Sequence, residues 1–169
     1  MELRRIPSGA LAGAVGAAVW AAEQPLDKRV FGSDYDDVEL LGKLAGRDGP
    51  QVTGLAIHLV NGAAFGAVYS LVRPLIPGPP QTAGIAAALG EHVATWPLTA
   101  LIDRKLTGDR RAFAQSAWRH ALFGLVLGEL ERRLNSGEQF EPLEQVPVSS
   151  NGHGNIEHAA AGATGTAGA

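Results

Sequence analysis

Long stretches without charged side chains divide the chain into four apolar segments. These segments cover residues 6–22, 49–72, 74–102 and 112–128. Only Glu91 in the third segment and Arg119 in the fourth are charged. A helix needs about 20 apolar residues to cross the hydrocarbon core of a bilayer. The pattern therefore predicts four transmembrane helices, and the short first helix is expected to continue through Gln24 and Pro25.

Glycines recur at four-residue spacing in three of these segments. The pairs are Gly9 and Gly13, Gly62 and Gly66, and Gly124 and Gly128. A glycine within a helix in water costs about 1 kcal/mol relative to alanine, whereas in lipid this spacing lets two helix backbones approach closely. We predict that these six glycines are helix-packing positions, and that such faces also support a homo-oligomer.

Two internal matches predict a duplication. A shift of 62 residues superposes the second segment on the fourth, and a shift of 76 superposes the end of the first on the end of the third. The first shift pairs His58, Gly62 and Gly66 with His120, Gly124 and Gly128, and the second pairs Trp20 and Asp27 with Trp96 and Asp103. We therefore expect an all-α fold, a four-transmembrane-helix bundle made of two parallel helix-hairpin repeats, 6–75 and 81–134.

The tryptophans and aspartates of the second match lie towards the ends of their segments. Aromatic and charged side chains are enriched where a helix leaves the membrane. We accordingly predict Trp20, Asp27, Trp96 and Asp103 as interface residues. The loop that follows the first segment contains Val38, Leu41 and Leu44 at helical spacing, which indicates either a short interfacial helix or an ordinary solvated connector.

The composition excludes several functional classes. The net charge of -3 provides no basic surface for nucleic acid, and the absence of cysteine rules out disulfides and thiolate metal sites. No phosphate-binding loop, nucleophile elbow or metal-ligand spacing occurs. We therefore predict no cofactor and no bound metal, and we do not expect an enzyme.

Six polar residues interrupt the apolar segments and are the candidates for chemistry. They are His58, Asn61, Glu91, His92, Arg119 and His120. Ionisable groups at membrane depth are costly and commonly serve a function or a pairing. In one interpretation they converge on a centre that binds a proton, an ion or a small ligand. In the other, the histidines form interhelical hydrogen bonds, and Glu91 and Arg119 pair with each other or reach water.

The chain changes character after Leu134. Residues 135–169 are rich in Asn, Ser, Gly, Glu and Ala and show no apolar period. We predict a disordered tail there, following a membrane domain that covers residues 1–134.

Four apolar helices carrying a histidine and two glycines at four-residue intervals, here His58, Gly62 and Gly66, resemble small uncharacterised bacterial inner-membrane proteins, including the YagU-like group. The resemblance covers roughly residues 6–134. It implies a multi-pass protein of the inner membrane, with the lipid bilayer as its partner, and it carries no catalytic residues over.

Three functional hypotheses follow. The first is a structural or stress-related membrane protein held together by its polar centre. The second is a small transporter or proton-linked channel that uses Glu91 and the histidines. The third is a soluble helical binding module rich in alanine and glycine. The basic residues before Ile6 and the small residues near Ala22 also allow a cleaved signal peptide, which would remove the first helix and break the symmetry of the repeats.

Overall fold

The computed structural model describes residues 3–46 and 50–136, and this part of the chain is helical without strands. The predicted tail lies outside the described residues, apart from Asn135 and Ser136. The described residues form five α-helices, which are α1 (Arg5–Phe31), α2 (Asp37–Leu44), α3 (Pro50–Val72), α4 (Pro80–Ile102) and α5 (Arg110–Leu134). Short 3-10 turns, Arg73–Leu75 and Arg104–Leu106, follow α3 and α4. The all-α prediction is confirmed for the described residues.

The helices begin and end where local chemistry allows. The first helix continues through Pro25, as expected, and stops at Gly32, whose φ of 59° is a left-handed conformation that glycine adopts without strain. The carboxylate of Asp36 caps α2 by accepting from the Glu39 amide at 2.9 Å. Asp109 caps α5 in the same way. The first loop thus contains a short helix, α2, whose predicted position at a membrane interface stays a prediction.

Among the residues that the structure describes, two helical stretches are long and apolar enough to cross a membrane. They are Gln51–Leu75 and Pro80–Ile102, whose most apolar 18-residue parts have mean hydropathies of 1.6 and 1.3. Only 28% and 11%, respectively, of the residues in these 18-residue parts are buried within the protein. These stretches therefore present most of their apolar side chains outwards.

The long helices pack in pairs. Helix α1 packs against α3 and α5, and α4 packs against α5. Helix α2 lies on α3. Helices α3 and α4 make only marginal contact with each other, and this leaves a cleft between them.

The predicted glycines lie at helix–helix contacts within the chain. A Cβ atom on Gly13 would overlap the carbonyl oxygen of Gly62, and one on Gly66 would overlap that of Gly9. The second pair of helices meets in the same way, with Gly124 against Gly84 and Gly128 against Pro80. Glycine is required here because the two backbones touch directly. All six glycines thus take part in helix–helix contacts within the chain.

These contacts relate the two halves by a different register from the sequence match. The partners of Gly62 and Gly124 are Gly13 and Gly84, which lie 71 residues apart rather than 76. The 76-residue match follows the ends of the helices, whereas the contacts follow their small-residue faces. The duplication itself stays a prediction.

Polar groups fill much of the interior. The largest fully buried side chains are Arg119, Leu127, His92, Gln115, Glu131, Asp27 and Ser70. Conversely, Val60 on α3 is 66% exposed and Leu101 on α4 is 67% exposed. The described interior therefore combines an apolar cluster, which includes Trp20, Phe123 and Leu127, with an unusual number of buried polar side chains, while large apolar side chains lie on the outside.

Candidate functional site: a polar cleft between α3 and α4

The cleft between α3 and α4 has a volume of about 470 Å³. Its wall combines aromatic, small and polar side chains from the four long helices. The lining residues are Ala17, Trp20, His58, Asn61, Gly62, Ala64, Phe65, Val68, Glu91, His120 and Phe123. Four of the six predicted polar residues, His58, Asn61, Glu91 and His120, thus come together here.

Glu91 and His120 face each other across the α4–α5 contact. The Oε2 atom of Glu91 lies 2.9 Å from Nε2 of His120. The other ring nitrogen of His120, Nδ1, lies 2.7 Å from the backbone carbonyl oxygen of Ser116. Because a carbonyl oxygen only accepts, Nδ1 carries a proton.

This tautomer leaves one proton to be shared between the two residues. It lies either on Nε2, which gives an imidazolium beside a carboxylate, or on Glu91, which gives a neutral imidazole beside a carboxylic acid. The pair has zero net charge in both forms. Loss of the shared proton would leave a carboxylate beside a neutral imidazole, with a net charge of -1. The Glu91 side chain is 40% exposed, so it is accessible from the cleft.

His58 is oriented by Asp37 of α2. Its Nδ1 atom lies 3.1 Å from Oδ2 of Asp37, and its buried Nε2 has no hydrogen-bond partner among the described residues. The other oxygen of Asp37 accepts from Trp20 at 3.1 Å, Gln24 at 2.9 Å and Arg119 at 3.0 Å. One carboxylate of α2 therefore holds together side chains of α1, α3 and α5.

The environment keeps Asp37 ionised. Burial raises the pKa of this carboxyl, but the hydrogen bond and charge of His58 and the charge of Arg119 outweigh burial, so the pKa lies below its usual value. Nearby, burial raises the pKa of Tyr35, and the charge of Asp37 adds to this effect. The Tyr35 phenol thus remains protonated at neutral pH.

Arg119 lies behind the cleft rather than in its wall. Its guanidinium pairs with Asp27 through Nε and Nη2, and Nη2 also donates to the Tyr35 carbonyl at 3.2 Å. Gln115 donates to the same Asp27 carboxylate at 2.7 Å. The pairing of Glu91 with Arg119 that one interpretation predicted is not what the structure shows, because the carboxylates of Asp27 and Asp37 occupy the guanidinium. Asp27 is correspondingly buried among these partners rather than exposed at a helix end.

His92 also lies behind the wall of the cleft. Its Nδ1 lies 3.3 Å from the Ser116 hydroxyl, and its ring packs against His120, with centroids 4.7 Å apart. The Nε2 atom is buried without a hydrogen-bond partner among the described residues. Trp96 packs beside it at a centroid distance of 5.5 Å, whereas Asp103 is half-buried beyond the end of α4 and accepts from the Lys105 amide.

Trp20 occupies the centre of the site. Its indole lies edge-on to His58 at a centroid distance of 5.0 Å and to His120 at 4.5 Å. It therefore contacts both of the histidines that the 62-residue match pairs. Trp20 was predicted as an interface residue, but in the structure its side chain is buried within the protein.

A second polar cluster closes the opposite end of the helices. Glu131 of α5 accepts from Arg5 at 2.5 Å and from the Ser70 hydroxyl at 3.0 Å. Asn135 donates to the same carboxylate oxygen at 3.0 Å. Glu131 was not predicted from the sequence because it lies beyond the uncharged run, in a charged stretch typical of a solvated helix end.

Asp37, Gln115 and Ser116 are further polar residues of the site that were not predicted from the sequence. Asp37 belongs to an acidic stretch with Asp34 and Asp36, which resembles a solvated loop. Its position directly after Asp36 was the available signal, because a capping aspartate places the next residue in the first turn of a helix.

In the described ranges 3–46 and 50–136, no group of three or more acidic or histidine side chains could hold a metal ion.

Comparisons of the chain with protein-family models, with curated proteins and with solved structures found no match. The resemblance to the YagU-like group stays a prediction, and function must be inferred from the site itself.

Proposed function

We propose that this chain is an integral membrane protein in which α1, α3, α4 and α5 cross the bilayer as a four-helix bundle, and that the cleft between α3 and α4 is a proton-linked binding site of a small transporter. The observation that carries the proposal is the Glu91–His120 pair, whose Oε2 and Nε2 atoms lie 2.9 Å apart in a polar cleft between two outwardly apolar helices.

The distribution of polarity supports the bilayer as the surrounding medium. Helices α3 and α4 expose valines and leucines along their length, including Val60, Val93 and Leu98. In water, exposed apolar side chains forgo about 25 cal/mol for each Å² left unburied. Buried charges are costly in either solvent unless they are paired. In lipid the exposed apolar side chains carry no such cost, and the internal ion pairs reduce the cost of the buried charges.

Ion pairing also explains how α1 and α5 can accompany the two apolar helices. The charged groups that lower their hydropathy include Asp27, Arg119 and Glu131, and each of these is buried against a partner. At 1.5 Å per residue, the 27 residues of α1 and the 25 of α5 extend about 40 and 37 Å. Both helices exceed the hydrocarbon thickness of about 30 Å.

The position of Glu91 supports a role in proton movement. It lies near the middle of α4, at the depth where an unpaired carboxylate is most costly. His120 supplies the partner, and His58 and Asn61 provide further polar groups on the facing wall. A ligand that enters the cleft can therefore meet a group that gains or loses a proton without disrupting the buried ion pair of Arg119.

Two measurements test the proposal. Membranes that contain the full chain are first extracted with alkaline carbonate, and the N-terminus of the retained protein is sequenced. We expect the protein to stay in the membrane with α1 intact. A chain released by carbonate would contradict the membrane proposal and favour a soluble helical module, and a chain that begins after Ala22 would favour a cleaved signal peptide.

The purified chain is then reconstituted into liposomes that contain a pH-sensitive dye, and a pH gradient is imposed. We expect proton movement that Glu91→Gln abolishes. Glu129→Gln is the matched control, because Glu129 lies outside the cleft and pairs with Arg132 and Arg133. Equal proton movement in the two variants would contradict the role of Glu91.

A structural role is the second candidate, and the arrangement around Asp37 favours it. This one carboxylate joins α2 to three of the long helices through four hydrogen-bonding side chains. Such a network stabilises a specific packing even if no ligand binds. It predicts that substitutions in the cleft impair assembly, with no proton movement to lose.

A further inference from the structure

We propose that the ligand of the cleft is an amphiphilic organic cation, with a quaternary or protonated ammonium or a phosphonium group attached to an apolar body, and that its binding displaces the proton shared by Glu91 and His120. This inference deepens the proposed function and rests on it for the membrane setting.

The charge of the wall selects a cation. Among the residues that line the cleft, Glu91 is the acidic residue and neither lysine nor arginine occurs. The guanidinium of Arg119, behind the cleft, is engaged by Asp27 and Asp37. An anionic ligand would therefore find only the imidazole groups and the Asn61 amide, whereas a cation finds an accessible carboxylate.

The aromatic side chains of the wall supply the second element of cation recognition. Trp20, Phe65 and Phe123 all line the cleft, and Phe123 makes edge-on contacts with Phe65 at 5.5 Å and Trp20 at 6.3 Å between centroids. The face of an aromatic ring attracts ammonium groups, and tryptophan does so most strongly. Aromatic rings beside one carboxylate favour a cation with a diffuse charge and an apolar surface.

The size and the opening of the cleft fit an amphiphile. Ligand pockets commonly measure about 300–1,000 Å³, and the cleft, at about 470 Å³, lies within this range. It opens between helices that make little contact, and Val68 on its wall is largely exposed. In a bilayer, an apolar ligand would reach the carboxylate from the side, between α3 and α4.

The exchange balances in charge. Before binding, the Glu91–His120 pair holds one shared proton and is neutral overall. When the monovalent cation enters, this proton leaves to water, Glu91 is left as a carboxylate, and Nδ1 of His120 keeps its proton. One positive charge replaces another.

The titratable neighbours of Glu91 determine how binding depends on pH. His120 faces it from α5, His58 lies across the cleft on α3, and His92 is adjacent on α4. Behind them, Asp37 of α2 and Arg119 of α5 are paired with each other. Because the cation and the shared proton compete for the same carboxylate, the affinity for the cation should fall as the pH is lowered.

Two probes of similar shape and opposite charge test the inference. The full chain in an uncharged detergent is titrated with tetraphenylphosphonium and with tetraphenylborate by isothermal calorimetry at pH 8. We expect the phosphonium to bind at least about tenfold more tightly. Equal affinity for both ions would overturn the inference, since the cleft would then be recognising apolar surface alone.

Variants locate the binding in the cleft. Glu91→Gln should weaken phosphonium binding by about tenfold or more, whereas Glu129→Gln should leave it unchanged. Phe65→Leu keeps an apolar side chain but removes a ring, and should weaken binding a few-fold. It also provides a test if the Glu91 variant fails to fold. Unchanged phosphonium affinity in a folded variant of either residue would place the binding elsewhere and overturn the inference.

Proton release separates this inference from the proposed function. In weak buffer, we expect about one proton to appear in solution for each phosphonium ion bound, and none from Glu91→Gln. Proton movement in liposomes without phosphonium binding would preserve the proposed function and overturn the inference. Selective phosphonium binding, with its proton release, by a chain that moves no protons in liposomes would support the inference while contradicting transport.

Discussion

Arg119 of α5 and Asp27 of α1 form a two-pronged ion pair in which neither side chain is exposed to solvent. The pair joins the first and the last of the described helices. Burial removes both charges from water, and their mutual attraction offsets that loss only while both partners are present.

Removal of the guanidinium should therefore be strongly destabilising. Arg119→Met would leave the carboxylates of Asp27 and Asp37 buried without their cation, and we expect a loss of about 3–5 kcal/mol in the free energy of unfolding. The measurement is denaturant unfolding followed by circular dichroism. Arg132→Met, on the same helix, removes an arginine from an exposed pair and should have little effect. Similar losses in both variants would contradict the proposed importance of burial.

The glycine contacts give a second prediction. Gly13→Ala places a methyl group against the Gly62 carbonyl, so that α1 and α3 must separate, and we expect a destabilisation of about 1–3 kcal/mol. Gly90→Ala is the control, because a Cβ atom on Gly90 meets no other atom within 4 Å. There the higher helix propensity of alanine should stabilise α4 by up to about 1 kcal/mol. Thermal unfolding compares the two, and equal shifts would argue against direct backbone contact.

The depressed pKa of Asp37 predicts a dependence of stability on pH. The carboxylate form is the one that its partners stabilise in the folded chain, so its contribution is present above the ordinary pKa of 3.8 and is lost as the pH falls through the lower folded value. Asp37→Asn should cost about 2 kcal/mol at pH 7. The difference between wild type and variant in the free energy of unfolding should shrink below about pH 4. A difference that stays constant down to pH 2 would be inconsistent with this assignment.

The paired substitution of His58 and His120 by leucine distinguishes the two proposed roles. If the cleft handles protons, the double variant should fold, as judged by size-exclusion chromatography and circular dichroism, but lose proton movement in liposomes. If the histidines serve assembly alone, the double variant should aggregate or unfold. A folded variant with undiminished proton movement would exclude both histidines from the pathway.

Much of the helical framework could be predicted from the sequence. Uncharged runs predicted the long helices, and Val38, Leu41 and Leu44 indicated α2. Helix formation depends on backbone hydrogen bonds between residues four apart, so a local pattern is sufficient to predict it. The four-residue spacing of glycines also marked the contact faces, because that spacing keeps them on one side of a helix.

Which polar groups meet could not be predicted in the same way. Glu91 and Arg119 were both recognised as unusual, but the sequence allowed them to pair with each other, whereas Glu91 contacts His120 and Arg119 contacts Asp27. Asp37 was not selected at all, although it orients His58. These pairings join residues 21 to 92 positions apart and depend on the register of one helix against another.

The types and spacing of the residues were therefore enough to specify the helices and their close-packing faces, because those properties are local to a few turns. The partners of the buried charges, the exposure of Glu91 and the cleft itself were decided by tertiary packing. The physical reason is that the energy of a charge depends on its distance from other charges in space and on its access to solvent, and neither quantity exists until the helices have assembled.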